Sequence, residues 1–235
     1  MVNVRMAEGG EVRDAYDHVL APSFPFDELE PFEQFATQLD EGRSELRIAL
    51  DENEIVAAAV TKDLPPSGAV LLSQMATREG RRGAGLGTRL YRALLGRIVD
   101  ELQPSLVLAE MEHPDYHEAH PLHGDPLARL RFYGRFDARL IDVPYFQASL
   151  GPGLQPVYGL LLLALYVRPD LINPARTQLD NPENLLAAIR TMLEFDGEPD
   201  DASAARLLTV ASQGRVRLVP VEEYRQVVPG LKREI

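Results

Sequence analysis

A chain of 235 residues, 45% hydrophobic and 26% charged, carries enough apolar surface for one large domain or for one domain with an appendage. Its formal net charge of -12 repels phosphate backbones and anionic lipid, which argues against nucleic-acid and membrane-surface partners and suits cationic substrates such as amines. Cysteine is absent, so disulfides, thiolate metal sites and acyl-cysteine intermediates are excluded.

Val2, Val4 and Met6 alternate with polar residues and predict a first strand. Residues 11–20 and 29–39 carry helical apolar spacing on either side of the turn Pro22-Ser23-Phe24-Pro25. Three strands are predicted next, over 45–50, 55–62 and 69–77. The tight turns Asp51-Glu52-Asn53-Glu54 and Pro65-Pro66-Ser67-Gly68 join them into an antiparallel meander. A helix over 83–100 presents Leu86, Leu90, Leu94, Leu95 and Ile98 on one face. A strand over 105–111, a helix over 126–136, a short strand over 139–143 and an apolar strand over 157–167 follow. The last of these is long enough to be central in a sheet.

From about residue 170 the composition shifts to helical stretches over 182–194 and 201–212, separated by the acidic turn 195–199. A short strand over 216–218 and a helical segment over 221–227 close the pattern. We expect an α/β domain over 1–169, its mixed sheet mostly antiparallel and flanked by helices, and a mostly helical C-terminal extension over 170–235. The longest apolar run, 159–167, is too short to span a bilayer. No basic stretch followed by an apolar run is visible near Met1, so a cytoplasmic protein is expected.

The most informative stretch joins a strand to a helix through four glycines: Gly80, Gly83, Gly85 and Gly87. Glycines let the backbone adopt positive φ and approach a ligand closely. The unpaired amides of a first helical turn, reinforced by the helix dipole, attract phosphate. A pyrophosphate laid across residues 82–88 would satisfy several amides at once, with Arg81 and Arg82 adding charge-assisted contacts. No Lys-Ser/Thr follows the glycines, so this is not a Walker loop. The turn also follows an antiparallel meander, where a dinucleotide fingerprint follows a first parallel strand. A bare helix cap with no ligand is the structural alternative.

Arg82, Gly85 and Gly87 resemble motif A of the GNAT superfamily of N-acetyltransferases, Arg/Gln-x-x-Gly-x-Gly/Ala, with Thr77 at the strand-end position eight residues before Gly85. Phe132-Tyr133, followed after three residues by Asp137-Ala138, resembles the family's motif B, with Asp137 where glycine is usual. The resemblance covers residues 1–167. It implies the GNAT acyl-CoA N-acyltransferase fold, with acetyl-CoA as cosubstrate. Main-chain groups of Met75, Ala76 and Thr77 would pair with the pantetheine arm, and Arg82, Gly83, Ala84, Gly85, Leu86, Gly87 and Thr88 would hold the pyrophosphate.

The resemblance makes Tyr133 the proton donor to the leaving thiolate; packing against the cofactor sulfur is its plainer role. A base is expected as a carboxylate or histidine near the fifth strand. Glu110 and Glu112, two apart, point to one face and could bind or deprotonate an ammonium, or be a solvated strand end. Four of the five histidines fall in residues 113–123, where Pro114 and Pro121 break any helix that would align them on a metal. No metal is expected; the loop would flank an acceptor pocket, with Pro144-Tyr145-Phe146-Gln147 closing its other side or packing as a strand edge.

The expected activity is transfer of an acetyl group to the amine of a small molecule. The alternative is a non-catalytic acyl-CoA-binding or sensing module whose C-terminal helices form an interaction surface. Acylation of protein lysines ranks below small molecules. A homodimer through the appended helices is compatible with the pattern.

Overall fold

The computed structural model describes residues 3–81, 83, 85–194 and 202–232. Tertiary contacts divide the chain into two compact units, residues 1–63, 72–103 and 121–123 in one and 64–71, 104–120 and 124–235 in the other.

The first unit holds β1 (Asn3–Met6), α1 (Glu11–Ala15), α2 (Phe32–Asp40), β2 (Ser44–Asp51), β3 (Glu54–Leu64), most of β4 (Ala69–Thr77) and α3 (Leu86–Arg97). Its strands run in the order β1-β2-β3-β4, with β1–β2 and β2–β3 antiparallel. The β2–β3 turn places Glu52 at φ 49 and Asn53 at φ 69, the paired left-handed residues whose twist matches a two-residue hairpin. One face of β2–β3 buries Leu46, Ile48, Ala58 and Val60 with Ala15, Val19, Leu20 and Phe35 from the two N-terminal helices. Helix α3 also packs on β2 and buries Leu86, Leu90, Tyr91 and Leu94. Tyr91 takes the buried place that spacing alone gave to Leu95, which is half-buried.

The second unit contains the start of β4, β5 (Leu106–Glu112), α4 (Pro126–Gly134), β6 (Arg139–Ile141), β7 (Leu160–Val167), β8 (Gln178–Leu179), α5 (Glu183–Glu194), α6 (Ala202–Ala211) and β9 (Val216–Pro220). Its strand order is β4-β5-β7-β6-β9-β8. The apolar strand β7 is central as expected, antiparallel to both β5 and β6. Leu106, Leu108, Leu160 and Leu162 share one core with Leu185, Ile189 and Leu193 of α5 and Leu207 of α6.

The sequence boundary at 169/170 is therefore not a boundary of packing. Strand β9 pairs with β6 through Arg139↔Pro220, Leu140↔Val219 and Ile141↔Leu218, so the C-terminal third completes this unit instead of appending to it. The reason is the apolar face of α5 and α6, which finds its partner on β5 and β7. The acidic turn 195–199 lies outside the described residues. No helix among the described residues is long and apolar enough to cross a membrane.

Candidate active site

In the first unit the glycine turn leaves β4 after Thr77. Gly80, Gly83 and Gly85 have φ values of 76, 85 and 73, a left-handed series that side chains with a Cβ resist. A Cβ added at any of the three would meet no atom within 4 Å, so these glycines serve backbone shape and not crowding. Gly85 is the N-cap of α3 and has no side chain to cap the first turn, which also lacks acidic residues. The helix starts at Leu86, three residues later than the apolar spacing suggests, with no acidic residue in its own first turn to meet the dipole.

The basic residues around the turn behave differently from expectation. Arg81 pairs with Asp51 at 2.7 Å and Glu54 at 3.4 Å, and Arg78 with Glu54 at 2.8 Å. These arginines tie the turn to the β2–β3 hairpin and are not spare charges for a ligand. Arg82 and Ala84 lie outside the described residues. Met75, Ala76 and Thr77 are half-buried at the end of β4, and Gly87 and Thr88 are half-buried in the first turn of α3.

The second unit carries the candidate acid and base. Glu110 and Glu112 sit opposite Leu162 and Leu160 of β7, and directly paired residues share a sheet face. Those two leucines belong to the apolar core, so both carboxylates point to the core side of the sheet and neither is a solvated strand end. The two acids do not form a free adjacent pair. The Tyr145 hydroxyl donates to Glu110, and Arg129 of α4 forms an ion pair with Glu112. Glu112 is 9% exposed, and its other oxygen faces the Nδ1 of His117 at 3.7 Å. The Nε2 of His117 lies 2.8 Å from the carbonyl of Tyr158 and must donate to it, which leaves Nδ1 with a lone pair when the ring is neutral.

Tyr133 stands on α4, whose N-terminus is fixed by Asp125 accepting from the Leu127 amide at 2.9 Å and by Pro126 at the first helical position. Its ring is buried, and burial pushes its phenol up to about 12, with Arg129 opposing the rise. A phenol raised this far gives up its proton less readily than an ordinary tyrosine. Phe132 makes an edge contact with Tyr133 at 5.1 Å and with Phe136 at 5.3 Å. Asp137 adopts φ 61, the left-handed terminus that its glycine-like place implies.

The histidine loop is built into the unit. His113 is buried, accepts from the Asp115 amide at its Nδ1 (3.1 Å), and touches the rings of Tyr116 and Tyr224 edge-on at 4.9 and 5.2 Å. Burial lowers its pKa from the ordinary histidine value. Asp115 in turn takes both Nε and Nη2 of Arg225, at 2.8 and 3.0 Å, and the Tyr224 hydroxyl at 3.1 Å. Arg225 holds the Asp115 carboxyl below its ordinary range. Further along, Gly230 donates its amide to the carbonyl of Tyr145 at 2.7 Å and accepts from Gly159 at 2.8 Å. No group of three or more His, Asp or Glu residues that could hold a metal occurs among the described residues.

Sequence reasoning proposed Glu110, Glu112, Tyr133 and Tyr145 but missed Arg129, His117 and the 224–230 segment. Arg129 was within reach of pattern reading, since it lies four residues before Tyr133 on one helix face.

A meander of antiparallel strands thus leads through a left-handed glycine turn into a helix with no side-chain cap, within a mixed α/β chain. Residues 12–124, just under half of the chain, match the family model described as "Acetyltransferase (GNAT) family". Among solved structures, an acetyltransferase of the GNAT family from Staphylococcus aureus Mu50 is 14% identical with a TM-score of 0.51, covering 71% of this chain and 100% of its own. A Bacteroides thetaiotaomicron chain assigned to the same family is 19% identical with a TM-score of 0.52, covering 69% and 85%. A spermidine N-acetyltransferase variant from Vibrio cholerae is 10% identical with a TM-score of 0.50, covering 70% and 94%. At these identities the likeness is one of fold, and the fold is the mixed α/β fold of GNAT acetyltransferases. No curated protein sequence matches the chain.

Proposed function

We propose that the protein is an N-acetyltransferase that moves an acetyl group from acetyl-CoA directly to the amine of a small molecule. The observation that carries this reading is the start of α3, which has no side-chain cap and is preceded by glycines at positive φ, Gly80, Gly83 and Gly85, with no atom within 4 Å of where their Cβ atoms would lie. The amides of residues 82–88, with Arg82, would take the pyrophosphate, and the main chain of Met75, Ala76 and Thr77 the pantetheine arm. The acidic chain favours a cationic acceptor.

Acyl transfer needs an unprotonated amine, a stabilised oxyanion and a route for the thiolate's charge. Glu112 and the lone pair on His117 Nδ1, 3.7 Å apart, form the pair that would receive the ammonium proton. Glu110, held by Tyr145, would orient the ammonium. Tyr133, with a phenol near 12, is a poor outright proton donor to a thiolate of pKa ~8.5, and would stabilise the departing sulfur by a hydrogen bond. Binding at the loop positions the thioester, and positioning supplies much of the rate.

A second reading, a non-catalytic acyl-CoA-binding module, is favoured by one fact: Glu110 and Glu112 already have protein partners. The two readings separate in one experiment. Acetyl-CoA is offered with a panel of small amines, and release of free thiol is followed alongside calorimetric titration with coenzyme A. Turnover with any amine supports catalysis; tight binding with no turnover supports the sensing module. Binding unaltered by Arg82→Glu would remove the loop from either account.

A further inference from the structure

We propose that Gly230 is a positioning residue for the candidate base: its backbone holds the ring of His117 in the tautomer that offers Nδ1 to Glu112. The inference rests on the reading of His117 and Glu112 as the groups that receive the ammonium proton. All the residues involved lie in the second unit.

The segments around Gln147 and Val157 run antiparallel, and these two residues exchange both main-chain hydrogen bonds at 2.9 Å. In an antiparallel ladder the next such pair lies two residues along, which is Tyr145 with Gly159. Gly230 occupies that rung instead. Gly159 donates its amide to the Gly230 carbonyl at 2.8 Å, and Gly230 donates its own to the Tyr145 carbonyl at 2.7 Å. A third segment of chain is thus wedged into the ladder one step beyond its last direct pair.

The Gly159 amide and the Tyr158 carbonyl belong to one planar peptide unit, so whatever holds the amide also aims the carbonyl. That carbonyl lies 2.8 Å from His117 Nε2 and can only accept. In the neutral ring the proton therefore sits on Nε2 and the lone pair on Nδ1, 3.7 Å from Glu112. Both glycines stand where there is no room for a side chain. A Cβ at Gly159, whose φ is 72, would lie 3.0 Å from the Cβ of Tyr116 and 3.1 Å from His117 Nε2. One at Gly230 would lie 2.8 Å from the carbonyl oxygens of Pro144 and Tyr145. The wedge also bears on the second carboxylate, because the Tyr145 hydroxyl donates to Glu110. With Gly230 displaced, the Gly159 amide can turn to the Tyr145 carbonyl, and the peptide plane that aims at His117 turns with it.

The test is nitrogen NMR of the full chain labelled in its histidine rings, with His117→Gln identifying the His117 signals. At about pH 8.5, where an ordinary imidazole is neutral, the native chain should show His117 as a single Nε2-protonated tautomer. Gly230→Ala should convert it to a mixture with the Nδ1-protonated form, while Gly214→Ala, whose Cβ meets nothing within 4 Å, should leave it unchanged. With an amine that the chain acetylates, Gly230→Ala should lower kcat about tenfold at unchanged coenzyme A affinity. A native His117 that is mixed or Nδ1-protonated would overturn the proposal whether or not the variant folds, and so would a folded Gly230→Ala chain with the native tautomer. The NMR readout does not depend on acetyl transfer, so a chain that turns over no amine defeats the catalytic reading and not the positioning of His117.

Discussion

Arg129, on the first turn of α4, forms an ion pair with Glu112, the last residue of β5. The pair links the helix that carries Tyr133 to the strand that carries the candidate base. Glu112 has the smaller exposure of the two, with 11% of its side chain accessible against 31% for Arg129. Removing the arginine therefore strands a mostly buried carboxylate, which is the costly direction of failure.

Arg129→Met should lower the free energy of unfolding by about 1–3 kcal/mol, less than a fully buried pair would because the arginine is partly solvated. Glu112→Gln should cost less stability, since an amide oxygen still accepts from the guanidinium, but should lower kcat with the preferred amine at least about tenfold. Urea unfolding and steady-state kinetics on both variants distinguish the two roles. Equal loss of stability with unchanged kcat for Glu112→Gln would make the pair purely structural.

Tyr133→Phe should reduce kcat by about 10- to 100-fold with little change in coenzyme A affinity, because the phenol is asked to act only as the sulfur departs. A phenol near 12 stays protonated across the neutral range, so the rate should show no limb from this group below pH 9 or so. A variant with intact kcat would reduce Tyr133 to packing.

His113 makes stability depend on pH. Its pKa in the fold is lowered by burial from the ordinary value of 6.5, so the unfolded chain takes up the proton first. Stability from this group is complete above 6.5 and is lost as pH falls toward the folded value, by up to about 1.4 kcal/mol per pH unit. Protonating Nδ1 also removes the acceptor for the Asp115 amide. Urea unfolding between pH 7 and 5 should show this decline, and His113→Gln should flatten it.

A Cβ at Gly230 would lie 2.8 Å from the main-chain oxygens of both Pro144 and Tyr145, and backbone atoms cannot step aside as a side-chain tip can. Gly230→Ala should cost about 1–3 kcal/mol, with Gly214→Ala, which meets nothing within 4 Å, as the neutral comparison. Equal thermal midpoints for the two variants would mean the close approach is dispensable.

Much of the architecture was legible because local chemistry and tertiary demand agreed. Strand β4 spans the residues its β-branched and apolar run specifies, and the turn at Glu52-Asn53 has the left-handed geometry that a tight hairpin needs. The start of α3 was misplaced because apolar spacing is blind to the positive φ values at Gly83 and Gly85. Strand β8, two residues long, gives no periodicity to read. At the candidate site, residue types were legible and partners were not. Tyr145 reaches Glu110 across 35 positions and Arg225 reaches Asp115 across 110, distances at which a single sequence carries no pairing signal. Composition changes near residue 170, yet the core that α5 and α6 complete is built with β5 and β7, a pairing that composition does not reveal.

The clasp of Tyr224 and Arg225 on Asp115 has a consequence for biosynthesis. The loop that it fastens is translated 109 residues before the first of its fasteners. While that stretch emerges from the ribosome, His113 has the ring of Tyr116 beside it but lacks that of Tyr224, and Asp115 lacks the Arg225 guanidinium, so a nascent chain halted in between would present an unfastened histidine loop.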